Sequence, residues 1–133
     1  MDITATLTGA FAHIDYSWFI FACVFILLDV LTGMAKGASQ HNLSSEIMRR
    51  GFWHKLALVT ALVVAALVDT MQYSGHDIGF SIPIFQAACG YVIAMELISI
   101  CENLKAMNEE LAGTKLMGLF GKVAEKNDEN GGK

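Results

Sequence analysis

The stretch Tyr16–Ala35, YSWFIFACVFILLDVLTGMA, decides how the chain folds. As a helix with a rise of 1.5 Å per residue it is about 30 Å long, the thickness of the hydrocarbon core of a bilayer. A helix buried in a soluble bundle keeps a polar stripe, and the run Phe19–Leu28 has none. Two more apolar blocks follow. Leu56–Tyr73, LALVTALVVAALVDTMQY, reaches about 27 Å and lies at the short end of the spanning range. The third block runs to Cys101 from a start at either Ile78 or Ile82. Its Pro83 falls in the first turns, where a missing N–H costs least. These lengths predict an all-α integral membrane protein with three transmembrane helices, at about 16–35, 56–73 and 78–101. The crossings form a domain over residues 16–103, between an N-terminal segment 1–15 and a charged tail 104–133.

Composition agrees with a membrane solvent. Of 133 residues, 54% are hydrophobic and 17% charged, with a single Pro, whereas soluble domains average about 45–50% apolar and about 25% charged. Disorder, collagen-like repeats and a disulfide scaffold are excluded as descriptions of the whole chain. The first block is expected to remain in the protein as a helix. No Lys or Arg precedes Tyr16, and Asp29 and Lys36 fit poorly in a cleaved signal peptide.

The sidedness of charge predicts the orientation. Lys36, Arg49, Arg50 and Lys55 lie between the first two blocks, and Lys105, Lys115, Lys122, Lys126 and Lys133 follow the third. Three crossings put both groups on one side and leave the other with Asp2, Asp15, Asp77 and no basic residue. The positive-inside rule then sets the N-terminus outside and the C-terminus in the cytoplasm. Tyr16, Trp18 and Tyr73 fall at the outer boundary and Trp53 at the inner one, where amphipathic rings prefer the headgroups. Ile3, Leu7, Phe11 and Ile14 recur at helical spacing and suit a short interfacial helix. In the tail, Leu116, Phe120 and Val123 share a face before the chain fades into NDENGGK, too polar to fold alone.

Each crossing carries one carboxylate: Asp29, Asp69 and Glu96. An ionised acid at mid-membrane costs about 2.5–3.5 kcal/mol on insertion scales, so such groups face a partner, a cavity or water. Asp69, near an outer helix end, reaches either the headgroups or a partner. Asp29 and Glu96 are satisfied either by Lys36 or Lys55, or by one another's helices. Asp29, Thr32 and Lys36 follow i, i+3, i+7 with Gly33 beside them, and Glu96, Ser99 and Asn103 repeat that spacing. The two polar stripes lie at one depth and satisfy each other only if their helices meet, within one chain or between copies. A second pattern, Ala57, Ala61 and Ala65 on the second helix with Gly90 and Ala94 on the third, is a small-residue stripe suited to close packing in lipid. Both patterns point to self-association.

Cys23, Cys89 and Cys101 have no C-x-x-C spacing and read as small apolar residues. His13, His41, His54 and His76 are scattered over loops on both sides, and no metal, cofactor or nucleic-acid partner is expected. With no nucleophile elbow, phosphate-binding glycine loop or H-E-x-x-H helix, an enzyme is not expected either.

Over residues 29–103 the chain resembles the phage lysis and toxin-secretion holin family. The resemblance rests on Asp29-Val-Leu-Thr-Gly33-Met-Ala-Lys36, then Ser44-Ser45, Met48, Gly51 and Lys55, and finally Glu96-Leu-Ile-Ser99-Ile-Cys-Glu102-Asn103. It implies a small protein of the host cytoplasmic membrane that forms homo-oligomers, permeabilises the bilayer at a set time and lets an endolysin, or a large toxin, escape. In such a protein the stripes around Asp29 and Glu96 are expected to be buried when closed and to line a wet opening when triggered. A small proton- or cation-coupled transporter, or an accessory subunit of a membrane complex, is the alternative that intramembrane acids also suit. Three helices, however, lack the paired repeats that transporters usually show.

Overall fold

The computed structural model describes residues 3–76, 79, 82–108 and 118, with backbone alone at 3, 5–7 and 10. Four helices follow one another: α1 (Ile3–Ala12), α2 (Tyr16–Ser39), α3 (Ser45–Tyr73) and α4 (Ile84–Met107), and the described residues contain no strand. The last three are long and apolar enough to cross a membrane. The tail residues Leu116, Phe120 and Val123, and Ile78 with Asp77, Phe80 and Ser81, lie outside the described residues.

Each helix end has a chemical cause. Asp15 caps α2 by accepting from the Ser17 N–H at 3.0 Å and the Ser17 hydroxyl at 2.6 Å. These two bonds hold the Asp15 carboxyl below its usual value. The cap is therefore fully formed above the ordinary carboxylate range and is lost only as pH falls through the lowered pKa. Ser44 caps α3 by accepting from the Ile47 N–H at 3.1 Å, and Glu46 in the first turn suits the positive end of the helix dipole. This cap starts α3 eleven residues ahead of the apolar block, so the helix continues through Arg49, Arg50 and Lys55.

The C-terminal ends of α2 and α3 close in the same way. Asn42 and His76 donate back to the carbonyls of Gly37 and Met71, at 2.9 and 3.2 Å, across a residue of positive φ. That residue is Gly75 (φ 85°) after α3, where glycine is free of Cβ strain, and His41 (φ 52°) after α2. The third spanning helix begins at Ile84, with Pro83 as its N-cap, which places it later than an Ile78 or Ile82 start.

In section the bundle has α4 at its centre. It packs extensively against α2 and less against α3, while α2 and α3 touch each other little. The buried α4 residues are Phe85, Cys89, Val92, Glu96, Ile100, Cys101 and Asn103. Apart from Cys101 they follow a 4-3-4-4-3 spacing, that of a seam between helices lying side by side. Ala22, Ile26 and Asp29 of α2 and Leu62 and Ala65 of α3 meet that seam. Ile14, beyond α1, closes the same core, and His13 stacks on Tyr73 with centroids 4.1 Å apart.

The outer surface is apolar: Ile20, Phe21, Leu27, Leu31, Val64 and Tyr91 are among many large side chains that face outward. Such a shell is unfavourable in water and suits lipid. Tyr16 and Tyr73 are exposed at one end of the bundle and Trp53 at the other.

The small-residue stripe divides between these environments. Ala65 is buried in the core, whereas Ala57, Ala61 and Ala94 are exposed, and Gly90 faces Trp18 of α2. As a packing face within one chain the five residues do not act together, because the inward seam of α3 runs through Leu62 and Ala65 and turns Ala57 and Ala61 away. Replacing Ala65 by Leu should overpack the core and cost about 1–3 kcal/mol of stability, whereas Ala61→Leu should cost within about 0.5 kcal/mol. Denaturant titration of helicity in mixed micelles reads the difference.

Candidate functional site

The inward seams change character toward the end of the bundle formed by the C-termini of α2 and α4 and the N-terminus of α3. There Asp29, Glu96 and Asn103 are buried where apolar residues fill the seam elsewhere. Lys55 of α3 reaches between the two acids. Its Nζ lies 2.7 Å from Asp29 Oδ2 and also pairs with Glu96 Oε2, whose side chain is only 2% exposed. Asn103 Nδ2 donates to Asp29 Oδ1 at 3.2 Å and to the Thr32 hydroxyl oxygen at 3.3 Å. Lys36 Nζ approaches Asn103 Oδ1 at 3.5 Å. Lys36, Asn103, Asp29, Lys55 and Glu96 thus form one connected group in which two cations balance two anions.

The energetics explain why these charges sit together. Each charged residue placed alone at this depth costs about 2.5–3.5 kcal/mol. The Lys55–Asp29 attraction at 2.7 Å is about 6 kcal/mol at an effective dielectric of about 20. The second carboxylate adds a further attraction, less its repulsion from the first, so pairing offsets insertion and isolation does not. Among the described residues no buried side-chain polar atom lacks a hydrogen-bond partner. The two polar stripes therefore satisfy each other within a single chain, and the acids by themselves do not require a second copy.

Gly33 and Ser99 have smaller parts. A Cβ on Gly33 would lie 3.6 Å from Asn103 Nδ2, an ordinary contact, so glycine lets Asn103 lie close to α2 without being obligatory there. Ser99 is half-buried beside the seam and outside the hydrogen-bonded group. Lys55 completes the group although it belongs to neither stripe. The signal that points to it is its place at the edge of the apolar block of α3, one long side chain away from two acids at the same depth.

Asp69 stands apart at the other end of the bundle. Its carboxylate accepts from the backbone N–H groups of Ile84 (3.0 Å) and Phe85 (2.9 Å). Pro83 offers no side-chain cap, so α3 supplies one to α4 from outside. Asp69 is thus a capping group and no member of the polar stripe, because the helix N-terminus beside it already provides two donors.

A shallow apolar groove on the exposed side of α3 is lined by Trp53, Leu56, Ala57, Thr60, Ala61 and Val64. A deeper cavity of about 520 Å³ opens between α2 and α3 beside the charged group. No cluster of three or more His, Cys, Asp or Glu placed to hold a metal occurs among the described residues.

Three apolar helices around a charge-balanced polar centre define a small multi-pass integral membrane protein. The bacteriophage holin family model matches residues 5–122, and the chain belongs to that family, which is not one of enzymes. It is a multi-pass protein of the cytoplasmic membrane. It is similar to an uncharacterized 14.9 kDa protein in the nagH 3' region of Clostridium perfringens, with 36% identity over 85 residues, 63% of this chain and 60% of the relative. An uncharacterized protein of C. perfringens strain 13, type A, matches at the same identity over 63% of this chain and 58% of its own length. The chain thus spans about 60% of the length of the curated relatives it matches. No solved structure matches it.

Two stability predictions follow from the geometry. Lys55→Met leaves two buried acids without their cation and should cost about 3–5 kcal/mol, while the triple variant Lys55→Met, Asp29→Asn, Glu96→Gln should recover most of that loss. Denaturant titration in micelles distinguishes the two. Asp69→Ala should cost about 1–2 kcal/mol and speed amide exchange at Ile84 and Phe85, with Asp69→Asn intermediate because one acceptor oxygen remains.

Proposed function

We propose that this chain forms homo-oligomers in the bacterial cytoplasmic membrane and permeabilises it at a set time, releasing an endolysin or a large toxin. The observation that carries the reading is a charge-balanced polar group, with every buried polar atom among the described residues hydrogen-bonded, packed among three lipid-facing helices in a member of the holin family. Such a group is stable while enclosed and also suited to water. Its charges lose little on leaving a low-dielectric seam for a wet lumen, where solvent replaces the mutual pairing.

In this reading the closed state is the compact bundle. On triggering, α3 moves away from α2 and α4, Lys55 parts from Asp29 and Glu96, and the polar seam turns to line an opening. The weak contact between α2 and α3 favours that separation. The exposed groove carrying Ala57 and Ala61 supplies a face on which copies associate, since small residues let backbones approach closely in lipid. Lys36, Arg49, Arg50, Lys55 and Lys105 all lie at one end of the bundle, which favours placing that end in the cytoplasm and the N-terminus outside.

Timed expression in bacteria with a co-expressed muralytic enzyme tests the proposal. The wild-type chain should give abrupt lysis that an energy poison advances. Asp29→Asn combined with Glu96→Gln should shift the lysis time, and Ala61→Leu should delay lysis and weaken crosslinked multimers at unchanged membrane insertion. Graded ion flux without killing would replace the holin reading with that of a small transporter.

A further inference from the structure

We infer that the cavity between α2 and α3 is a binding site for one acidic phospholipid, with the phosphate at Lys36 and an acyl chain along the apolar wall. The cavity of about 520 Å³ falls within the roughly 300–1,000 Å³ usual for small-molecule pockets. It exists because α4 keeps α2 and α3 apart along their cytoplasm-proximal halves in the proposed orientation. Its wall is apolar, with Val30, Met34, Leu43, Ile47 and Phe52, and toward the C-terminal end of α2 its mouth is lined by Lys36, Gln40 and Asn42.

Charge selects the sign of the occupant. Three charged residues line the cavity: Asp29, Lys36 and Lys55. Asp29 and Lys55 are held by each other, and Lys55 also by Glu96. Lys36 has no carboxylate within ion-pair distance among the described residues. Its one hydrogen bond there, to Asn103 Oδ1 at 3.5 Å, is longer than the usual 2.7–3.2 Å. The ammonium therefore retains donors for a stronger acceptor, and within a group that is neutral as a whole it is the one charge that no opposite charge contacts among the described residues. On the same end of α3, Arg49 and Arg50 outnumber Glu46 by one positive charge.

Depth selects an amphiphile over a free anion. Lys36 lies within a turn of the end of α2, at headgroup level, whereas Val30 and Met34 lie further along the helix toward the hydrocarbon. A basic mouth over an apolar wall between transmembrane helices is the arrangement that receives acidic lipid headgroups. Gly51 also lines the cavity, and a Cβ built there meets nothing within 4 Å, so the position has room for a side chain to begin.

The full-length chain, reconstituted with equimolar phosphatidylglycerol and phosphatidylcholine and analysed by native mass spectrometry, tests the site independently of lysis. The wild type should retain phosphatidylglycerol in preference to phosphatidylcholine. Lys36→Gln should reduce that preference about fivefold, the worth of one interfacial cation. Gly51→Leu should reduce retention of both lipids while leaving the charges in place. Soluble glycerophosphoglycerol should leave the bound lipid undisturbed. Equal retention of the two lipids by the wild type overturns the proposal, as does an unchanged preference in Lys36→Gln or unchanged retention in Gly51→Leu. Displacement by the soluble headgroup would instead assign a simple phosphate site. A change confined to the number of chains per particle would assign the cavity to a second copy.

Discussion

Lys55 lies between Asp29 and Glu96, and the arrangement of the three spanning helices depends on that contact. Lipid is as apolar as leucine, so bringing two apolar helices together in a bilayer releases no water and gains little beyond dispersion. A half-buried ammonium shared by two carboxylates is different, because each of the three groups is costly alone. The pairing joins α3 to α2 and α4 at one depth, and it fixes the register along which Ala22, Ile26, Leu62, Phe85, Cys89 and Val92 interlock.

At the opposite end a second polar device does comparable work. Asp69 crosses from α3 to the start of α4 and satisfies two N–H groups that Pro83 leaves without a local cap. One carboxylate thus terminates a helix while the other two form an ion pair, although all three look alike as acids in apolar runs. What separates them is the partner that the fold presents: a helix N-terminus at one end, an ammonium at the other. Between the two ends the core is apolar, and α4 is the helix that both devices hold.

Family membership and this geometry bear on different questions. The match over most of the chain places the protein among holins, and the bundle accounts for how one copy remains folded in a membrane with four charged side chains in its seams. Since those charges are balanced internally, the proposed self-assembly would have to draw on the outer surface. In the proposed assembly the exposed face of α3 with Ala57 and Ala61 is where copies would meet, since small residues allow close approach in lipid.

Much was legible in the residues alone. Apolar runs of bilayer length specify three spanning helices, since in lipid every backbone N–H and C=O must be satisfied within its own segment. The i, i+3, i+7 spacing of Asp29, Thr32 and Lys36, and of Glu96, Ser99 and Asn103, sets each group on one side of its helix, because the period of a helix is a local property. Helix ends were less legible. The Ser44 cap extends α3 through a polar stretch that hydropathy does not mark, and α4 starts only at Ile84. The tertiary structure alone decided that Lys55, and not Lys36, holds both acids, that Asp69 is a cap, and that the alanine stripe divides between core and surface. Each of these depends on which helix lies opposite and at what rotation, and those are relations between segments distant in the chain.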